Sequence, residues 1–451
     1  MNRTVFSALL VAALMAGLGA LSGVRADDPW PRFRGTTGNS AVLDDPRLPE
    51  RWSATENVHW AIEVPGVGWS SPVIWGKKVF VTTVVNDESE NNDKPRAGLY
   101  LGQGRRGIPS GKHHWWVFCY DLETGRTLWK EEVLSGAPKV GRHPKSSYAA
   151  ETPVVDGERL YALFGDHGMY CFDLDGNRLW TYEIEPKKTM MDYGAAASPV
   201  VHGDQVFFVY DNQETSYLAA LDAKTGKLRW RVLRDEKTTW ATPYIWEQPD
   251  RTEIVVPGKN KNRSYDLQGN LLWEMEGRMS NLVIPSPFEA EGLVYLSSGY
   301  FQDLHRPAYA IRPGATGDIT LKEDEQSNDF IQWYQRKGGP YNTTPLVYKD
   351  LYFLLLDRGM MSIYDAKTGE QYLDRKRFPK GASFTVAPWA YNGKVFCLAE
   401  NGKTYVLEAS KEFKLTGTVN DLDDLCMSCP AISDGRLVLR TQTRLYCLGN
   451  K

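Results

Sequence analysis

Cysteine and histidine are scarce in this chain, at six and seven in 451 residues. Six cysteines, no two of them adjacent, are too few for a disulfide scaffold. No second Cys pair or spaced His pair joins Cys426-Met-Ser-Cys429 to make a zinc site, and the missing following His rules out haem attachment. Excess positive charge is lacking too. Against 56 Asp and Glu stand 53 Lys and Arg, a net charge of −3, which gives no basic field to hold a phosphate backbone and points away from nucleic acid. Beyond residue 21 no apolar run approaches the ~20 residues of a transmembrane helix, so no membrane span is expected. The signs of disorder are absent as well, because 42% of the residues are hydrophobic and 12% aromatic.

What is present begins with a leader. Arg3, an apolar run from Val5 to Leu21 and the small-x-Ala step Val24-Arg25-Ala26 read as a secretory signal over residues 1–26. Removing it takes away Arg3 and Arg25 and leaves 51 basic against 56 acidic residues, net −5. The chain is expected to be exported, to the periplasm or outside the cell. No Cys sits beside the cleavage step to carry a lipid.

A repeat organises the rest. A Ser/Thr-Pro step, an apolar pair, a turn and an apolar strand recur at Ser71-Pro72, Thr152-Pro153, Ser198-Pro199, Thr242-Pro243, Ser286-Pro287 and Thr344-Pro345, and Ala387-Pro388 and Cys429-Pro430 continue the series. The prolines are spaced 81, 46, 44, 44, 58, 43 and 42 residues apart, so eight units are present, with insertions in the first and fifth. Short β runs broken by Asp-Gly, Asn-Gly and Thr-Gly turns predict four-stranded antiparallel sheets, and the period fits propeller blades. The fold class is therefore all-β, an eight-bladed β-propeller. Its last unit supplies about three strands, and the orphan run Asn57–Val64 is expected to complete blade eight. Residues 57–451 then form a single propeller, preceded by a strap over residues 27–56, where Pro29 and Pro31 bar Pro29-Trp-Pro-Arg-Phe-Arg-Gly35 from a central strand.

Four units end in a Gly with a Trp four residues later: Gly125 and Trp129, Gly176 and Trp180, Gly226 and Trp230, Gly269 and Trp273. The Gly supplies a left-handed turn, and the indole is large enough to wedge between sheets. In blade five no Trp follows Gly317 at that spacing, blade six has Leu373 instead, and blade seven lacks the Gly turn, so some wedges must be built differently. Repeated as Asp121-Leu-Glu-Thr-Gly-Arg-Thr-Leu-Trp and Asp222-Ala-Lys-Thr-Gly-Lys-Leu-Arg-Trp, the motif resembles that of the PQQ-repeat, or quinoprotein alcohol dehydrogenase-like, β-propellers, over about residues 57–448. That family includes enzymes that oxidise alcohols or sugars with pyrroloquinoline quinone, and non-catalytic relatives such as outer-membrane assembly lipoproteins. The sequence is also similar to secreted bacterial PQQ-repeat proteins.

In such propellers the loop entering each innermost strand faces the central channel. Those loops supply Trp69, Tyr148, Glu151, Tyr193, Trp240, Asn281, Tyr341, Asn342 and Phe384 as candidate ligand contacts, aromatic faces with scattered oxygens that suit a planar or sugar-like ligand. The resemblance implies two readings. One is a non-catalytic binding or scaffold protein that takes a protein, polysaccharide or small ligand at the funnel. The other is an oxidoreductase using pyrroloquinoline quinone and calcium, with Glu151, Asn281 and Asn342 as oxygen ligands and Asp192 as base. It lacks the adjacent-cysteine pair of such enzymes. Cys426 and Cys429 read either as a local disulfide or as two small residues opening a buried strand, and Cys119, Cys171 and Cys447 read as core fillers at one blade position. Of the polar insertion Asn86–His114, a mobile lid, a partner-binding loop or a solvated loop are the expectations, and Arg142-His143-Pro-Lys145 adds positive charge before blade two.

Overall fold

The computed structural model describes residues 24–25, 27–88, 95, 97–98 and 108–450; nearly all of the expected leader, and Lys94, Arg96, Arg105 and Arg106 of the first insertion, lie outside them. The described chain is all-β apart from one short 3-10 turn, Met190–Asp192. Eight antiparallel sheets follow one another as blades one to seven, residues 73–136, 154–183, 200–234, 244–275, 288–335, 346–377 and 389–421, and an eighth. Blade eight joins Ala431–Ser433, Arg436–Arg440 and Arg444–Leu448 to Val58–Glu63, with Val58 opposite Leu448 and Glu63 opposite Arg444. The N-terminal strand thus closes the ring, as the orphan run requires, and removes two open edges.

The Gly and Trp repeat is an interlock between neighbours. Each indole N–H donates to a backbone carbonyl in the turn of the next blade: Trp60 to Leu122 (2.8 Å), Trp129 to Leu174 (3.0 Å), Trp180 to Ala223 (3.0 Å), Trp230 to Leu267 (3.0 Å) and Trp333 to Ala366 (2.8 Å). The turn's Gly lies flat beneath that ring. A Cβ on Gly125 would stand 2.8 Å from Trp60, and the residue's φ of +73° already favours glycine. The Asp that opens the turn explains the rest of the motif, since Asp121 accepts from both the N–H and the hydroxyl of Thr124. Opposite each of these indoles on the third strand sits a small residue, Cys119, Cys171, Cys447, Ala220 or Ala310. The three cysteines are therefore fully buried spacers that leave room for an indole.

Blades four and five depart from this rule. Ile311–Gly317 was expected to turn into the last strand of blade five, but Gly317–Asp318 instead pairs parallel to Trp273–Glu274 as a fifth strand on blade four. The last strand of blade five is Ile331–Gln335, and its Trp333 makes the interlock that the spacing after Gly317 appeared to lack. Trp273 turns its N–H to the buried Glu253 carboxylate (2.8 Å), which also accepts from Ser264 and pairs with Arg251.

The Ser/Thr-Pro repeat is a second interlock, around the channel. The Cys429 N–H donates to the Ser71 hydroxyl, Ser71 N–H to Thr152, Thr152 N–H to Ser198, Ser198 N–H to Thr242, Thr242 N–H to Ser286 and Ser286 N–H to Thr344, at 2.9–3.1 Å. The next position in the ring is Ala387, which has no hydroxyl. Residues 30–53 cross the opposite face of the propeller. Trp30 bridges Ile74, Pro31 accepts from Val155, Asn39 exchanges two bonds with Val347, Ala41 bridges Ala390 and Ser53 bridges Asp421.

Candidate functional site

The loops entering the innermost strands and the turns between second and third strands share one face, where they surround a funnel of about 250 Å³. Its floor is the hydroxyl ring with Phe33 of the crossing segment beneath it. Trp69, Tyr193, Trp240, Phe301 and Tyr341 supply aromatic walls. Two of the indoles are pinned, Trp69 Nε1 to the Lys145 carbonyl and Trp240 Nε1 to the Gly194 carbonyl, both at 2.8 Å. Fixed aromatic faces lose little freedom when a ring stacks on them. Lys145 reaches the wall as a cation but is already paired with the buried Glu400, which also accepts from Thr385 (2.7 Å). The Gly98 N–H donates to the other Glu400 oxygen (2.5 Å), so this part of the first insertion touches blade seven. His143 is held neutral, its pKa pushed down to about 4 by burial and by the charges of Lys145 and Arg142.

Of the predicted contacts, Trp69, Tyr193, Trp240, Tyr341 and Asn342 meet in this funnel. Tyr148 and Glu151 do not. They line a much smaller side pocket with Asp166 and His167, between the loops of blades one to three. There Glu151 accepts the Gly165 N–H at 3.0 Å, and burial pushes its pKa up to about 8. Burial also raises Asp166 to about 6, against the hydrogen bond it accepts from Tyr210, and lowers His167 to about 4. Asn281 is exposed, with its backbone N–H and Nδ2 both donating to Asp303 at 2.7 Å. Phe384 is fully buried in the core between blades six and seven. Asp192 is exposed in the 3-10 turn and lines none of these cavities. Cys426 and Cys429 are free thiols, Cys426 Sγ donating to the Arg440 carbonyl (2.9 Å) while Cys429 lines the funnel floor. His113 and His114 face apart, His114 bonding Glu132 and Asp87 and His113 the Gly111 carbonyl.

Sequence reasoning missed Phe301 and Asp357, which enter the funnel from second-to-third-strand turns, and Phe33, which enters from below. The prolines mark only the loops that precede innermost strands. Burial raises the pKa of Asp357, against the opposing charge of Arg358.

Residues 110–241 and 197–300 match the family described as outer membrane protein assembly factor BamB. Together the two overlapping matches span less than half of the chain. The described chain is an eight-bladed β-propeller, and residues 110–300 of it match that family. Its fold is shared with BamB from Moraxella catarrhalis, at 11% identity and a TM-score of 0.52 over 79% of this chain and 99% of that one. It is shared also with a quinohemoprotein alcohol dehydrogenase from Pseudomonas putida, at 10% identity and a TM-score of 0.55 over 94% and 80%. No curated protein sequence matches significantly.

The calcium ligands that the quinone-enzyme reading assigns fall in three separate places: Asn342 in the funnel, Glu151 in the side pocket, and Asn281 on an exposed loop. Among the described residues no group of three or more His, Cys, Asp or Glu is placed to hold a metal ion. These residues do not fit one hard cation, which needs six to eight converging oxygens.

Proposed function

We propose that this PQQ-repeat propeller is an exported binding protein whose funnel receives a single ring-sized group, such as the end of a sugar chain. The observation that carries the reading is the funnel itself, with its pinned indoles and its floor at Phe33. At about 250 Å³ it lies just below the ~300–1,000 Å³ of ordinary ligand pockets, room for one or two rings rather than an extended chain. The leader-like residues 1–26 support export. Among the described residues no helix is long and apolar enough to cross a membrane.

The test is titration calorimetry of the full mature chain with neutral and acidic oligosaccharides, repeated on Trp240→Ala. Loss of a stacking face is expected to weaken binding about tenfold. Equal affinity in the variant overturns the funnel as the site. The competing oxidoreductase reading predicts thermal stabilisation that needs calcium and pyrroloquinoline quinone together, worth ~2.7 kcal/mol at 100 times the dissociation constant. Such a shift would replace the binding reading.

A further inference from the structure

The loops of blades four to six gather arginines beside the funnel. Arg278 lies in the loop entering blade five, Arg306 in the turn within that blade and Arg336 in the loop that leaves it; Arg358, Arg375 and Arg377 belong to blade six. They are brought together by the fold. The Arg306 N–H donates to the Arg336 carbonyl (3.0 Å), Arg377 donates to the Arg358 carbonyl (3.2 Å), and the Arg358 guanidinium stacks 3.7 Å over the ring of Phe301, a funnel wall. Burial lowers the pKa of Arg306, and the charges of Arg375 and Arg358 lower it further against the opposing charges of Asp357 and Asp303.

Six cations there stand among three carboxylates, of which Asp303 and Asp357 reach Arg306 with their charge. Asp303 accepts from Ser280 and from both nitrogens of Asn281, Asp374 pairs with Arg375, and Asp357 is buried in the funnel wall. The rim is thus locally positive on a chain whose net charge is −3. Arg306 and Arg358 are half-buried, and neither side chain makes a hydrogen bond or ion pair with a described residue; in both, Nε is fully buried and orphaned. The terminal nitrogens of both side chains are bonded to no described residue and are not among the atoms sealed from solvent, so they are the donors an anion can reach. A guanidinium is also the group best matched to a planar or tetrahedral oxyanion.

We propose that this rim is an anion subsite of the funnel and that the ligand is an acidic sugar at the end of a chain, its carboxylate or sulfate held by Arg306 and Arg358 while its ring stacks on the aromatic wall. The inference rests on the funnel-binding reading and adds the charge of the ligand. The favoured geometry is a ring against Phe301 and Tyr341, because Arg358 covers one face of Phe301 and Tyr341 stands on the same side of the funnel. A peptide of Asp and Glu alone would satisfy the arginines but has no ring for the walls.

The experiment compares three oligosaccharides on the full mature chain by calorimetry: a galacturonate oligomer, its methyl ester as the uncharged form of the same backbone, and a sulfated oligosaccharide. A short poly-glutamate serves as the peptide control. Arg306→Gln and Arg358→Gln are measured beside the parent. Neither variant removes an internal hydrogen bond, so unchanged melting temperatures are expected to show that both fold. The expected result is at least tenfold tighter binding of an acidic sugar than of the ester, with that preference falling about tenfold in either variant while the ester's affinity stays constant. Whichever of carboxylate and sulfate binds tighter identifies the anion. Equal binding of acid and ester, changed only by Trp240→Ala, overturns the anion subsite and leaves the funnel reading standing. Binding of poly-glutamate alone through the two arginines overturns the sugar in favour of a protein partner. No binding by any of the sugars overturns both readings.

Discussion

The ring has two unlike arcs. From blade eight through blade three every junction uses one device, a Trp whose indole N–H caps a carbonyl over the next blade's Gly. From blade four onward only the junction between blades five and six repeats it, and blade four spends its Trp on the internal Glu253. The same arcs differ on the funnel face. Blades two and three frame a closed pocket of carboxyls and a neutral imidazole, whereas blades five and six present unpaired guanidinium groups. The difference teaches that a repeated interlock over part of a ring can fix the register, leaving the remaining junctions free to vary. Arg306 and Arg358 lie along the arc where the repeat decays.

The largest expected effect separates the two kinds of junction. Trp180→Ala removes a buried interlock and should cost ~3–5 kcal/mol of stability, measured by urea unfolding. Leu373→Ala alters the corresponding position in blade six, which is half-buried and makes no such bond, and should cost ~1–2 kcal/mol. Equal losses at the two positions would break the comparison between arcs.

How much of this was legible follows the same division. Blade number, closure by residues 58–63 and the regular interlocks could be read because each recurs at one phase. Trp333 could not be placed, because the segment after Gly317 joins blade four before the chain returns to blade five. Asn281 and Phe384 were read as channel residues by their position before a proline, yet successive side chains on an extended entry loop point to opposite sides. Asn281 turns to Asp303, and Phe384 into the core. The arginine rim left no local signal at all, since its members come from loops and strand ends across three blades and only the fold brings them together.

A second prediction concerns the closed pocket. Glu151 has a folded pKa of about 8 against an ordinary 4.5, so the folded state keeps a proton that the unfolded state releases. Its contribution to stability is complete below pH 4.5 and is lost as the pH rises toward 8. Glu151→Gln abolishes that dependence. Relative to the parent, the variant should gain ~2–4 kcal/mol between pH 4 and pH 8. A constant difference across that range would show that the Glu151 carboxyl is not held in its neutral form.

The smallest effect tests the inner ring, which runs through both arcs and breaks in the irregular one. Ser198→Ala would leave the buried Thr152 N–H without its acceptor and should cost ~1–3 kcal/mol. Ala387→Ser offers the missing hydroxyl to Thr344, whose own side chain accepts from Ser286, and should add ~0.5–1.5 kcal/mol. Opposite signs at these positions would show that the Ser/Thr before each Pro is selected for the bond to its neighbour. If Ala387→Ser destabilises the chain, the gap is set by packing at the funnel floor, and the ring is complete without it.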